Sequence, residues 1–337
     1  MIESIRFHNF KVLRDTTLPL GQFTLIIGPN GSGKTTALQG LEAVANRPRR
    51  DLAQVMSTGV ESPPGSNPPV SITILWHPSS EGLSTHAVWD AGGVTPRHKI
   101  NRRSEANQGQ KDRLNELLAR FRVYALDAEC IAHPVLLNPN MELAKNGANL
   151  AGVMERLRDS CPERFETLND QLGRWLPEFD HILFDVPTQG HKAFRLRTRE
   201  GHHAIDACNL SQGTLLALAI LTIAYLPDPP PLVCFEEPDR GIHPRLLRDV
   251  RDALYRLAFP QDFGEQRDPV QVVATTHSPY MLDLFKDRPE EIVIAEKIGQ
   301  EGRFSRLADR EDLDEILQDA HLGDLWYSGV LGGVPSE

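Results

Sequence analysis

Gly28, Gly33, Lys34 and Thr35 stand in the order G-x-x-x-x-G-K-[ST], directly after the apolar run Phe23 to Ile27. Each residue type has a chemical reason for its place. Glycines let backbone N–H groups converge on phosphate oxygens, a lysine ammonium neutralises the terminal phosphates, and a threonine hydroxyl at a helix start can hold Mg²⁺. Asn30, Gly31, Ser32 and Thr36 complete the loop and its exit, and the segment reads as a cradle for a nucleoside triphosphate.

Two acids lie far downstream, where Pro231 to Glu237 form an apolar strand ending in Glu236 and Glu237, followed by Pro238. Neighbouring side chains on a strand point opposite ways, so one carboxylate is expected to face a metal shell and the other an attacking water. Glu236 is assigned to the metal together with Thr35, and Glu237 to polarising water. A second β-branched strand ends in Thr275, Thr276, His277, Ser278 and Pro279. A histidine just past a strand end can reach a γ-phosphate, and His277 is assigned that role.

Between the loop and the acids stands Leu210 to Thr214, LSQGT, ahead of the apolar helix TLLALAILTIAYL. Ser211 or Asn209 can cap that helix, and a capped start with small residues is an anion site. The chain thus carries two phosphate-binding helix starts for one triphosphate. Head-to-tail dimerisation would reconcile the surplus.

The order of these motifs resembles an ABC/SMC-type AAA ATPase, similar to RecF, SMC heads and OLD-like ATPases. The resemblance runs from SIRFHNFKVLRDTTLPLGQFTLIIGPNGSGKTT through EEPDRGIHP to TTHSPYML. It implies ATP and Mg²⁺ as ligands and hydrolysis to ADP and phosphate, with Glu237, His277 and Lys34 as catalytic residues. It places Lys11 near the nucleotide, Asp239 in the D-loop, and Ser211 and Gly213 in contact with ATP across a dimer. Glu236 stands where most ABC proteins carry Asp. The expected fold is α/β, a P-loop NTPase of ABC-ATPase head type with an antiparallel β lobe and a helical signature lobe.

Composition sets outer bounds. The chain has 337 residues, 40% of them hydrophobic and 24% charged, enough to bury a sizeable core. The longest apolar run, around Leu215 to Leu226, falls short of the roughly 20 residues that span a bilayer, so a cytoplasmic protein without membrane insertion is expected. Cys130, Cys161, Cys208 and Cys234 form no C-x-x-C pair, which argues against zinc or a disulfide framework. The net charge of −10 is unlike that of a protein living on phosphate-backbone contacts. Basic clusters at Arg47, Arg49 and Arg50, at Arg97, His98, Lys99, Arg102 and Arg103, and at Lys192, Arg195, Arg197 and Arg199 read as solvated faces. The competing reading makes them a DNA groove.

The chain is expected to form a single composite head: strands, loop and antiparallel lobe over 1–110, a helical and strand insertion over 111–215, and the remaining motifs with the tail over 216–337. Within it, ESPPGSNPPV reads as a loop, Gly92 to Gln110 as a mobile polar stretch, Lys111 to Phe121 as a helix, and Asn149 to Ser160 and Pro162 to Trp175 as two helices. A polar helix is expected over Arg310 to Ala320, and the Trp326 and Tyr327 pair either docks on the head or presents a partner site. Twelve prolines between Lys34 and Ser211 interrupt helices where SMC proteins insert coiled-coil arms, so long arms are excluded. A TOPRIM domain, which needs on the order of 100 further residues, is not expected after the motifs. The expected function is an ATP-dependent switch dimerising around ATP and controlling a separate DNA-acting effector, such as a nuclease, in repair or phage defence. A transporter ATPase subunit and a nucleotide-dependent scaffold with little turnover are the alternatives.

Overall fold

A computed structural model describes residues 1–46, 70–77, 83–90, 93–100, 104–105, 107–138, 141–319 and 321–332. The proline-rich ESPPGSNPPV stretch up to residue 69 lies outside them. The chain divides into two compact units, one of Met1–Val123, Pro230–Cys234 and Val270–Glu337, the other of Tyr124–Pro229 and Phe235–Pro269.

The first unit holds two sheets. Its six-stranded antiparallel sheet runs in the order Leu13–Pro19, Ile2–Phe10, Val70–Trp76, Leu83–Asp90, Gly93–Ile100, Ser104–Glu105. Strict alternation of buried and half-buried residues along Val70–Trp76 turns Val70, Ile72, Ile74 and Trp76 to the core, as a sheet with one covered face requires. The second sheet runs in the order Glu301–Arg306, Ile292–Ile298, Phe23–Ile27, Gln271–Thr276, Leu232–Phe235, Arg122–Tyr124. Phe23–Ile27 pairs in parallel with Gln271–Thr276 and with Ile292–Ile298, and it is buried at every residue. Continuous burial is the mark of a parallel strand covered on both faces.

The helix Lys34–Asn46 inserts Ala37, Leu38, Leu41 and Val44 into the core that holds Phe7, Phe10 and Ile72. Gly40 permits this approach, since a Cβ there would lie 2.6 Å from the Phe7 ring. Buried Gln271 ties the two sheets. Its Nε2 donates to the carbonyls of Ile2 at 2.7 Å and Gly21 at 2.8 Å, while its Oε1 accepts from Ile2 N–H at 2.8 Å. A buried amide is stable there because its polar atoms are paired.

Two expectations are sharpened in this unit. Within Gly92 to Gln110, Gly93–Ile100 is a strand that pairs residue for residue with Leu83–Asp90, from Asp90↔Gly93 to Leu83↔Ile100. The helix expected from Lys111 begins at Gln108, because Asn107 and Gln110 form a reciprocal capping box at its start. Near the tail, the polar helix is confined to Leu313–Asp319. The following helix Leu322–Tyr327 docks on Pro279–Asp283, with Leu322 buried and Gly323 N–H donating to Asp283 Oδ1 at 2.8 Å. Tyr327 stays 88% exposed, so the aromatic pair is divided between docking and solvent.

The second unit packs Leu150–Ser160 and Pro162–Trp175 against each other and against the sheet of Phe179–Asp185, His191–Thr198 and Ala204–Asp206. Pro162 sits in the first turn of its helix, where its missing N–H costs nothing. That helix, at 14 residues, is the longest between Lys34 and Ser211 among the described residues. Beside it lies Gln212–Ala224, buried at every residue from Thr214 to Ala224, with Thr222 Oγ1 donating back to Leu218 O at 2.8 Å. Leu247–Ala258 covers it with Leu247, Val250, Leu254 and Leu257. Glu265, nearly buried, is satisfied by Arg256 and Arg267, each at 2.5 Å.

Candidate nucleotide-binding site

In the first unit the glycine loop leaves the end of Phe23–Ile27, beside the strand that leads to His277. Ile27 pairs with Thr276, so Gly28 and His277 depart from neighbouring parallel strand ends, the place where α/β sheets bind ligands. Gly28, at φ 153°, has no room for a side chain: a Cβ would lie 2.1 Å from the Ala295 carbonyl oxygen. Gly33, at φ 101°, would place one 2.6 Å from Leu13 Cδ2. Gly31, at φ 77°, is exposed with open space around it.

Lys34 is only 6% exposed, and its Nζ donates to the carbonyls of Gly28 at 2.7 Å and Pro29 at 2.9 Å. The hydroxyl of Ser32, fully buried, has no hydrogen-bond partner. Thr35 is exposed at the helix start, Thr36 is half-buried and Asn30 is exposed. An ammonium, converging amides, an orphaned buried hydroxyl and an exposed threonine at a helix N-terminus make a donor set suited to phosphate.

Lys11 lies in the turn between the first two strands at φ 53°, and Asn9 has φ 52°. Lys11 Nζ donates to Gln39 Oε1 at 2.5 Å, which holds the ammonium against the helix that begins at Lys34. Sequence reasoning gave Gln39 no part, since a lone helical glutamine carries no spacing signal. It also missed Gly302, where a Cβ would lie 2.4 Å from Ser32 O while the amide donates to Val12 O at 2.9 Å. His277, half-buried, begins a turn fixed by Ser278 N–H to Thr276 Oγ1 at 2.9 Å and by Ser278 Oγ capping Met281 N–H at 3.2 Å.

In the second unit Ser211 caps Gln212–Ala224, its Oγ accepting from Thr214 N–H at 3.1 Å. Asn209 is the last residue of the preceding 3₁₀ turn and does not cap. Ser211 and Gln212 are exposed and Gly213 half-buried, so the helix start meets solvent while its body is buried.

The acid pair is arranged differently from the strand alternation expected of it. The strand ends at Phe235, Glu236 N–H donates to Tyr124 O at 2.8 Å, and Glu237 adopts φ 47°. A left-handed turn, and not the pleat, sets the direction of Glu237. Such a backbone costs a non-glycine residue energy and is found where surrounding structure imposes it. Both acids, with Pro238, Arg240, Tyr124, Leu126, Phe235, Leu216 and Ile220, line one small pocket. Arg240 Nη2 donates to Leu126 O at 3.2 Å, and the next acid, Asp127, is held below the usual carboxylate range by hydrogen bonding from Cys130, with Arg240 adding to the effect.

The basic cluster on His191–Thr198 is engaged internally. Lys192 pairs with Glu155 at 2.5 Å, Arg195 with Asp185 and Asp206, each at 2.6 Å, and Arg197 with Asp180 at 2.8 Å. Arg199 donates to the carbonyls of Pro177 and Gly173. Arg97, His98 and Lys99 lie on Gly93–Ile100, whereas Arg47, Arg49, Arg50, Arg102 and Arg103 lie outside the described residues. Among the described residues no helix is long and apolar enough to cross a membrane, and no group of three or more His, Cys, Asp and Glu could hold a metal by itself.

A phosphate-type loop leaving a parallel strand, beside a second sheet that is antiparallel, defines an α/β P-loop fold of ABC-ATPase head type. Solved structures with this fold include the SmcHead bound to the C-winged helix domain of ScpA, at a TM-score of 0.61 and 14% identity, covering 90% of this chain and 96% of that one. An Smc head domain with an extended coiled coil, bound to the C-terminal domain of ScpA from Pyrococcus furiosus, also gives 0.61, at 13% identity over 94% of this chain and 99% of that one. The SMC head domain from Thermotoga maritima gives 0.51, at 14% identity over 90% and 98%. An OLD nuclease from Thermus scotoductus is 24% identical over 96% of this chain and 68% of its own length. Residues 1–91 match an AAA ATPase domain. Residues 97–283, more than half the chain, match the family described as "AAA domain, putative AbiEii toxin, Type IV TA system", and the chain belongs to that family.

Proposed function

We propose that the protein binds and hydrolyses ATP as a switch that closes head to tail with a second copy of itself. The observation that carries this reading is the pair of anion-suited helix starts, the Gly28 to Thr35 loop in one unit and the Ser211 cap in the other, for a single triphosphate. In this reading Lys34 and the loop amides take the phosphates of ATP, with Ser32 Oγ and Lys11 adding donors. Glu237 orients the water that attacks the γ-phosphorus as the bond to the bridging oxygen breaks. His277 meets the γ-phosphate, and Ser211 and Gly213 of the second copy complete the site. Thr35 and Glu236 would hold Mg²⁺, which neutralises phosphate oxygens and takes few protein ligands beside phosphate and water.

The likeness to an OLD nuclease and to SMC heads bound to ScpA domains supports a role in controlling a DNA-acting partner on another chain, in repair or phage defence. The test uses Glu237→Gln and Lys34→Ala. Glu237→Gln is expected to retain ATP and accumulate as a dimer by light scattering, and Lys34→Ala to bind no ATP. A monomeric, ATP-loaded Glu237→Gln protein refutes the head-to-tail reading. ATPase rates with and without duplex DNA then separate a DNA-linked enzyme, which is stimulated, from a scaffold that binds ATP without turnover.

A further inference from the structure

Phe10 pairs with Leu13 across the turn between the first two strands, so Lys11 and Val12 make a two-residue hairpin loop. Lys11 takes φ 53° there, a backbone that glycine enters more easily than lysine. The turn is pressed against the glycine loop: a Cβ on Gly33 would lie 2.6 Å from Leu13 Cδ2 and 3.3 Å from Val12 Cγ2. Val12 O also accepts Gly302 N–H at 2.9 Å. With its backbone fixed in this way, what is left to place is a flexible four-carbon stem.

That stem is held at its tip. Lys11 Nζ donates to Gln39 Oε1 at 2.5 Å and stands 5.9 Å from the centre of the fully buried Phe10 ring, within cation–π range. Gln39 lies four residues beyond Thr35 and three beyond Thr36 on the helix Lys34–Asn46. The three share one face, and helical side chains lean back toward the N-terminus. The Gln39 amide therefore brings the ammonium to the helix start, where the loop presents its phosphate donors. It is also neutral. A carboxylate of the same length would pair off the lysine charge, whereas an amide oxygen fixes the ammonium without cancelling it.

We infer that Gln39 is a positioning residue of the nucleotide site: its neutral amide aims the Lys11 ammonium at the phosphates, so ATP affinity depends on Gln39 through Lys11. This rests on the reading of the Gly28 to Thr35 loop as the ATP site. Gln39 touches no nucleotide in this arrangement and acts on a side chain that does.

The experiment titrates the full chain with ATP and Mg²⁺ and compares wild type, Gln39→Leu, Lys11→Ala, the double variant and Gln39→Glu. Gln39→Leu is expected to weaken ATP binding about fivefold and Lys11→Ala about tenfold. The double variant is expected to match Lys11→Ala within about twofold, because residues that act through one another are not additive. Gln39→Glu keeps the shape of the side chain and adds an ion pair. Its ligand-free melting temperature is expected to equal or exceed that of wild type while ATP affinity falls about tenfold. A purely structural glutamine instead lowers stability and affinity together, and independently of Lys11. A Gln39→Leu effect undiminished in the Lys11→Ala background overturns the inference and leaves the ATP site standing, as does Gln39→Glu binding ATP as tightly as wild type. A wild-type chain that binds ATP no better than Lys34→Ala overturns both. Should Gln39→Leu not fold, Gln39→Asn, whose amide is one carbon short, replaces it in the same cycle.

Discussion

Lys34 spends its ammonium on two carbonyls of its own loop, so a phosphate must displace these bonds to be gripped. Charge-assisted bonds to phosphate are roughly twice as strong as bonds between neutral groups, which sets the direction of exchange. Ser32 is the more discriminating probe. Its buried hydroxyl has no partner, and an unsatisfied buried polar atom costs about 1–3 kcal/mol. Ser32→Ala is therefore expected to leave the ligand-free protein as stable as wild type or more so by up to about 1 kcal/mol, while ATP affinity falls about five- to tenfold. Thermal melts and nucleotide titration check the two halves, and a less stable variant with unchanged affinity refutes the assignment. Gly28→Ala faces a backbone oxygen at 2.1 Å, and is expected to lose ATP binding outright. The sequence named most of these residues because a phosphate loop is local. It could not name Gln39, a lone helical glutamine that holds Lys11, or Gly302, which reaches the loop from another strand.

At the scale of elements, the helix Gln212–Ala224 combines a structural and a chemical end. Ser211 caps it, and removing a cap costs about 1 kcal/mol. Ser211→Asp keeps the cap but places a negative charge where an anion is expected. It should match wild type in urea denaturation yet form no ATP-dependent dimer, whereas Ser211→Ala should be destabilised by about 1 kcal/mol and retain more of the dimer. If Asp supports dimerisation, the helix start is only structural. In the helix body Leu218 is fully buried, and Leu218→Ala is expected to cost about 3–5 kcal/mol in chemical denaturation. The strand pair Phe179–Asp185 and His191–Thr198 carries a pH signature. Arg197 donates to both oxygens of Asp180 and holds its carboxyl below the usual range. A depressed carboxylate contributes above its unfolded pKa, and the contribution disappears as pH falls through the lower folded value. Urea midpoints of wild type and Asp180→Asn are thus expected to differ at neutral pH and to converge in acid.

For the whole molecule, charge argues against a protein that clamps DNA through its phosphates. The net charge is −10, and Lys192, Arg195 and Arg197 are committed to carboxylates of the same unit. Each phosphate neutralised contributes about 0.9 to the slope of log affinity against log salt. The isolated chain is expected to bind duplex DNA weakly, with a slope magnitude below about 3 by fluorescence anisotropy. A slope near 6 or above, about seven phosphate contacts, shows that basic residues elsewhere build a DNA groove. An effector on a second chain then remains the natural output for the ATP cycle proposed here.

The sequence by itself determined the fold class and the order of the chemistry. A glycine loop after an apolar strand, acids at a strand end and a capped apolar helix are each encoded within about ten consecutive residues. It also argued against long coiled-coil arms, because proline acts wherever it stands, and among the described residues no helix between Lys34 and Ser211 exceeds 14 residues. Only the tertiary structure decided how those pieces are held. Glu237 takes a left-handed backbone that its residue type does not announce. The arginines of His191–Thr198 are paired across strands, although the chain writes them as a basic patch. Gln271 spans to Ile2, Gly302 lies against Ser32, and Gly213 meets Gly241. These are contacts between residues far apart in sequence. They leave no periodicity in a single chain, because the force that selects them is close packing and the pairing of buried polar groups, and both exist only once the chain has folded.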